Sequence, residues 1–504
     1  MAIMAMATAR RVNSYHLANV LVFLSYFSIS FSPIAGEWQF DPSVGVEETY
    51  TNNIDLTITD PTSTFVTKAI IDFGVKYQSR LTDFSFSGVN TRLFFSHDSD
   101  LNDNYLVLNT DGQYSFWAGG PAVFATANVR NVNRNSANNG LADLISGDTV
   151  QAENYSTGLL YNITNSSYSV RSSLSFDMNR YEDGLGEYDG VSTTLNAKNG
   201  DNARIIFWEF DGDFSTRSQE FSGETRTGDQ YKASAKLGLI TSFDINPFIR
   251  FYDEDFSGDL GNQPQQTTAS WGPGLRWLVS PHLTLDVTYN YVSDNTVSDN
   301  YISALIQWEP SARTSLSASY SKRFFGNSYN IRLQHRTKRL TNTVTYDETL
   351  EVFDRNNFEQ VGLGSNLEPV ESSEFSLYRR LRWTSALQLA RTTFTINTYA
   401  TRREELENDV IDDTLGVSFA ITRKVSRKSN LSLLAKYDSL IFDKRNPLGS
   451  GQEDKYTTIS TTYSKDIAAS LSTQFTLQNV DRNSDVNQFS YNEFRAIINV
   501  TKEF

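Results

Sequence analysis

Between Tyr301 and Tyr346 the chain alternates apolar and polar side chains with a period of two. Ile302, Ala304, Ile306 and Trp308 alternate with Ser303, Leu305 and Gln307. Leu316, Ala318 and Tyr320 alternate with Ser315, Ser317 and Ser319, and Tyr329, Ile331 and Leu333 with Asn330, Arg332 and Gln334. Period two is the signature of a strand, and the three-to-four spacing of a helix is missing. Turns are predicted at Glu309-Pro310-Ser311-Ala312 and at Phe325-Gly326-Asn327-Ser328. Four successive strands follow, each with one apolar face and one Ser/Thr/Asn/Arg face. In a water-soluble sandwich the apolar faces would pack on each other. In a membrane barrel they would meet lipid, and the polar faces would line the interior.

The same alternation recurs along the chain. Strands are predicted at Ile71 to Ser79, Phe84 to Phe94, Tyr105 to Trp117, Ala122 to Val132, Tyr168 to Phe176, Ala203 to Phe210 and Tyr231 to Ile240. Later ones include Thr284 to Tyr291, Ser376 to Trp383, Leu415 to Ile421, Leu431 to Tyr437, Leu471 to Val480 and Phe489 to Phe504. Trp38 to Asn53 reads either as a first strand or as a short lead-in. A membrane strand of ~9–11 residues plus its share of connection takes roughly 20 to 22 residues. The expected architecture is therefore all-β, a single antiparallel transmembrane β-barrel of about 22 strands, within a range of roughly 18 to 24.

The connections alternate in character. Glu309 to Arg313, Arg336 to Leu340, Thr422 to Asn430 and Ser464 to Ser470 are short and often basic. Asp98 to Asn104, Glu182 to Asp189, Asp253 to Gln266, Ser293 to Asn300, Asp347 to Glu371 and Phe442 to Asp454 are longer and more acidic. Short periplasmic turns and long extracellular loops are the asymmetry of an outer-membrane barrel. At the end of the chain Phe494, Ala496, Ile498, Val500 and Phe504 share one face. A closing aromatic of this kind resembles the assembly signal of such barrels, although Lys502 stands where an apolar residue is usual.

Residues 1–36 read as a signal peptide and 37–504 as the barrel. Arg10 and Arg11 form a positive start, Leu17 to Phe31 an apolar run, and Pro33-Ile34-Ala35-Gly36 a small-residue cleavage site. Removing that segment takes the net charge from −15 to −17, which argues against a nucleic-acid partner. With no Cys, disulfide scaffolds, thiolate metal sites and a lipid anchor on Cys are excluded. Aromatics make up 13% of the chain. After residue 36 no apolar run reaches the ~18 residues of a membrane helix. A barrel combines these properties because only every second residue meets lipid.

Three stretches carry a family resemblance. They are Trp308-Glu309-Pro310 with Arg313-Thr314, Tyr320, Arg323-Phe324-Phe325-Gly326, Tyr329 and His335-Arg336; Trp271-Gly272-Pro273-Gly274-Leu275-Arg276-Trp277 with Ser280-Pro281; and Trp38 with Pro42-Ser43-Val44 and Glu48-Thr49-Tyr50-Thr51-Asn52-Asn53. The chain thereby resembles the PEP-CTERM (exosortase) system-associated outer-membrane β-barrel family. That resemblance implies a barrel, a Gram-negative outer membrane and a link to exopolysaccharide export components. It implies no reaction.

The chemistry-bearing residues are sparse. His97 beside Asp98 and Asp100 is a rim pair of the kind outer-membrane proteases use, but a solvated acidic loop is the expected reading. His282 sits in a Ser-Pro-His turn. Asp98, Asp100 and Asp103, or Asp253, Glu254 and Asp255, offer clustered oxygens without the spacing and central Gly of a calcium loop. No nucleophile elbow, His-Glu-x-x-His or phosphate loop occurs. No catalytic residue, metal or cofactor is expected, and the chain does not read as an enzyme. Arg323, Arg332, His335, Arg336, Arg380 and Arg382 are the candidate lumen or rim contacts, and Phe504 the assembly signal. The expected partners are outer-membrane lipid and the outer-membrane assembly machinery, with export components implied by the resemblance. The leading expectation is a channel or export-associated, porin-like barrel. A non-conducting scaffold barrel is the alternative, and an outer-membrane hydrolase a weaker one. An open lumen favours the channel and a plugged one the scaffold.

Overall fold

The computed structural model describes residues 36–504 except 222, 259–265, 294–298, 361–366, 372–374, 407–408 and 444–450, and the side chains of 221 and 360. Apart from Gly36, the expected signal peptide lies outside the described residues. So do parts of the long connections at 253–266, 293–300, 347–371 and 442–454.

Period-two segments have become strands throughout, and 24 of them form one sheet. Each pairs antiparallel with its neighbours in sequence. Glu37–Thr51 also pairs with the last strand, Tyr491–Glu503, so the sheet closes on itself. Trp38 to Asn53 is thus the first strand and not a lead-in. The count is slightly above the expected 22 because most connections at one rim shrink to two or three residues. With an even number of strands, Glu37 and Phe504 lie at the same rim, that of the short turns. The turns at 312–313, 337–339 and 427–428 share that rim, and the long connections share the other.

Register explains which residues meet lipid. Trp308, Ile306 and Ala304 pair with Leu316, Ala318 and Tyr320 on one face, and Gln307 and Leu305 with Ser317 and Ser319 on the other. All seven tryptophans, Trp38, Trp117, Trp208, Trp271, Trp277, Trp308 and Trp383, are exposed. A water-soluble protein of this size would bury most of them. Meanwhile Glu254, Arg403, Asp454, Arg482 and Glu493 are buried. Apolar side chains outside and ion pairs inside are the inverse of a soluble core and the arrangement of a membrane barrel. Closure also leaves no unpaired strand edge in hydrocarbon, which an open sheet would. The chain is an outer-membrane β-barrel.

Two turns differ from the expected positions. The strand Tyr301–Ser311 runs through Glu309 and Pro310, and the reversal falls at Ala312-Arg313. The next reversal is Phe324-Phe325, with Gly326 at φ 104°, which a residue with a Cβ rarely adopts. Asp253, Glu254 and Asp255 also belong to a strand, Ile245–Gly258, and not to a loop.

Twenty-four strands at ~4.8 Å spacing, tilted by about 40°, make a ring on the order of 45 to 50 Å across. Wall side chains alone do not fill a ring of that width. On the short-turn half, inward-facing Gln307, Asn330, Arg332, Gln334, Arg382 and Thr384 remain exposed within it. The long-loop half is different.

Candidate functional site: a mouth closed by two inward loops

Many strands exceed the ~9–11 residues that cross a bilayer. Ile411–Ser426 and Thr149–Thr164, for example, have 16 residues each. The excess forms a collar at the long-loop rim, and two connections fold into it. One, residues 134–148, joins Ala122–Asn133 to Thr149–Thr164. The other, residues 352–375, joins Leu340–Glu351 to Ser376–Gln388 and contains a small hairpin, Phe358–Gln360 with Leu367–Pro369. The connection expected to lie outside as Asp347 to Glu371 therefore begins as strand and ends inside the mouth.

Loop 134–148 is held by the far end of the chain. Arg482 donates to the carbonyls of Ala137 (3.0 Å) and Asn138 while paired with Asp454 at 2.9 Å. Gln452 donates to the Ala137 carbonyl at 2.6 Å, and the Gly140 N–H donates to the Tyr456 hydroxyl at 2.8 Å. Arg495 pairs with Asp143 and donates to Ser146 at 2.5 Å. Ile145 packs against Ile54, Val66 and Leu93. Burial alone would raise the Asp143 carboxyl, but Arg495 outweighs it and holds that group below its ordinary value of 3.8.

Loop 352–375 is held in the same way from other walls. Asp354 accepts from Arg403 at 2.5 Å and from the Tyr378 hydroxyl at 2.7 Å. Arg403 also pairs with Glu405 at 2.8 Å and Asp412 at 3.2 Å. Burial pushes the Asp354 carboxyl up, and Arg403 and Tyr378 more than reverse that. Arg355 reaches Asp183 in the connection after the strand Tyr168–Tyr181, which stands ten strands away round the ring. Gln219 donates to Glu371 at 2.6 Å. Val352, Phe353 and Phe375 pack with Phe256, Leu350 and Leu377, against Phe324 and Phe325. The loops also meet each other. Asn135 donates to the Leu367 carbonyl at 2.7 Å, and Ala137 packs with Phe358, Leu367 and Phe442. Between the second loop and the wall remains a cavity of about 720 Å³.

The residues singled out in the sequence are spread over this frame. Arg323 is buried in the collar, 2.8 Å from Glu254 and over the rings of Phe325 and Phe256. Glu254 therefore faces inward while Asp253, bonded to Tyr231, faces outward, so that acidic trio is split between two faces. Arg380 pairs with Glu351, donates to Thr349 at 2.8 Å and lines the cavity. Arg332 and Arg382 face the lumen opposite Thr345. Arg336 stands on the inward face at the short-turn rim, opposite Thr341. His335 stands at the short-turn rim, one residue before Arg336. It shares the outward face with Leu333, and its Nδ1 lies 2.8 Å from the Thr314 hydroxyl. The Phe504 N–H donates to the Pro42 carbonyl at 3.0 Å, tying the last residue to the first strand. His97 Nδ1 lies 2.9 Å from Thr64 Oγ1. Among the described residues no group of three His, Asp or Glu side chains is placed to hold a metal.

The run from Trp271 to Trp277 acquires a physical account. Trp271 and Trp277 face outward, while Gly272, Gly274 and Arg276 face inward. A Cβ on Gly272 would stand 1.8 Å from the Tyr289 carbonyl oxygen. Arg276 pairs with Glu209 and Asp286, both at 2.8 Å, and Lys236 joins at 2.6 Å from Asp286. Two cations and two carboxylates balance, which gives a closed brace across the strands from Ile206 to Val292. These clamps were not legible beforehand, because their partners lie tens to hundreds of residues apart.

A closed antiparallel barrel with an apolar outer belt and a polar, loop-closed interior defines the class: an outer-membrane β-barrel of Gram-negative type. No family model and no curated protein matches the chain. Among solved structures it is similar to the FrpB iron transporter of Neisseria meningitidis (7% identity, 92% of this chain and 82% of that one, TM-score 0.47). It is also similar to the siderophore receptor PirA of Pseudomonas aeruginosa (9%, 92% and 80%, TM-score 0.41). A third is a loop-deleted OmpT, an outer membrane protein of Vibrio cholerae (9%, 93% and 100%, TM-score 0.32). Nothing about cargo follows from likenesses of this degree.

Proposed function

We propose that the barrel is a loop-gated conduit for polar solutes or polymer, serving exopolysaccharide export. The observation that carries the conduit is the contrast between the two halves of the lumen. The short-turn half is wide and lined by exposed polar groups, and two loops fold into the other mouth and meet there. Those loops are held largely by ion pairs and hydrogen bonds, which water can replace. The link to exopolysaccharide rests on the sequence resemblance alone. No reaction is proposed for the chain. Lipid, the assembly machinery and export components are its proposed partners.

Single-channel conductance in planar bilayers tests the reading. The full-length mature barrel should conduct little or flicker. Replacing residues 135–147 by a short Gly-Ser linker, or combining Arg355→Ala with Asp183→Ala, should raise conductance several-fold. The rival is a non-conducting scaffold barrel, favoured by the near-complete burial of the Arg403–Asp354 and Arg482–Asp454 pairs. Unchanged, near-zero conductance in folded loop variants would decide for the scaffold.

A further inference from the structure

The cavity between loop 352–375 and the wall is basic in an acidic protein. Arg130, Arg134, Arg217, Arg355 and Arg380 line it, against Glu351 and Asp354. Most of this charge is spoken for. Arg355 pairs with Asp183, Arg380 with Glu351, Arg134 with Asp148, and Asp354 with Arg403. Arg130 and Arg217 have no carboxylate in ion-pair contact among the described residues. Arg130 comes from the strand Ala122–Asn133 and Arg217 from Ile206–Phe221. The Arg217 guanidinium lies 4.6 Å from the centre of the Tyr188 ring, which holds it in the cavity wall.

The same lining carries acceptors without donors. Asn179 is 6% exposed, and its amide nitrogen is used on the Gly186 carbonyl. Its Oδ1 is buried with no hydrogen-bond partner among the described residues, and so is Oδ1 of Asn133. Such groups cost free energy unless something donates to them. Tyr181 carries the Arg355 guanidinium over its ring as Tyr188 carries Arg217, and Asn154 and Gln230 add amides.

We infer that this cavity is a binding site for a sugar carrying a carboxylate or a phosphate. Arg130 and Arg217 each offer a guanidinium to anionic oxygens, which such groups bind by charge-assisted hydrogen bonds. The orphan oxygens of Asn179 and Asn133 take hydroxyl donors. A plain inorganic anion leaves the acceptors unsatisfied, and a neutral sugar leaves the arginines unused. At about 720 Å³ the cavity lies within the roughly 300–1,000 Å³ of small-ligand sites. The site stands whether or not the barrel conducts.

Calorimetric titration of the purified mature barrel in detergent tests this, with trigalacturonate, glucose 1-phosphate, maltotriose and inorganic phosphate as probes. Trigalacturonate or glucose 1-phosphate should bind, and which of them does assigns the anion. Binding should weaken about tenfold to a hundredfold in Arg130→Ala and in Arg217→Ala. Arg130→Lys and Arg217→Lys should recover part of it, which separates loss of charge from loss of fold. Heat-modifiable mobility checks that each variant is folded. The inference is overturned if neither charged sugar binds, or if the folded double alanine variant binds as the parent does. It is equally overturned if maltotriose or inorganic phosphate binds as tightly as the charged sugars.

Discussion

At the residue scale, adjacent positions of the last strand meet opposite surroundings: Ile498 is 50% exposed on the outer face. Asn499 faces inward, next to Glu47. Ile498→Arg should therefore cost about 2–4 kcal/mol if it sits near the membrane midplane. Asn499→Arg should be nearly neutral, and urea unfolding in lipid vesicles would compare the two. Equal losses would show that the register is wrong. Arg403 is a different case. It compensates Asp354, Glu405 and Asp412 at once. Arg403→Ala leaves buried carboxylates unpaired, and about 3–5 kcal/mol should be lost. Asp354→Asn in the same background should return part of it. Glu405 and Asp412 lie close to Arg403 in sequence, but Asp354, the partner that anchors the loop, lies 49 positions away, so the clamp itself is not announced there.

At the scale of elements, the hairpin was the legible unit. The four strands from Tyr301 to Glu351 were all read, because Ser, Thr and Asn alternate there with apolar residues. Thr149–Thr164 was not singled out, since Gln151, Glu153 and Thr157 occupy its outward face and blur the alternation. The inward loops were read only as long connections. Their fold is set by distant walls, which periodicity does not register. Two predictions belong here. Deleting Phe504 should lower the yield of heat-modifiable barrel, as its N–H closes the ladder onto Pro42. The loop clamps should also show a defined acid response. Asp143 and Asp354 are both held below the ordinary 3.8, so their contribution is complete above that pH and is lost as pH falls below it. Protease resistance of the loops should thus be equal at pH 7 and pH 5, and should fail only in stronger acid. Release near pH 6 would point to other groups.

At the scale of the whole molecule, both chain ends and the short turns share one rim. With that rim periplasmic, Thr337→Cys should resist an impermeant thiol reagent on intact cells, and Asp98→Cys should react. Labelling of Thr337→Cys alone would invert the orientation. The last consequence is mechanical. A thin hoop of 24 strands is stiff along its strands and soft against being squashed into an oval. Arg355 reaching Asp183 across ten strands, and Arg482 and Arg495 gripping a loop rooted in the strands that end at Asn133 and begin at Thr149, are spokes across that hoop. Releasing them unlocks the cross-section as well as the passage, so the outline of the barrel and the width of its mouth must change together.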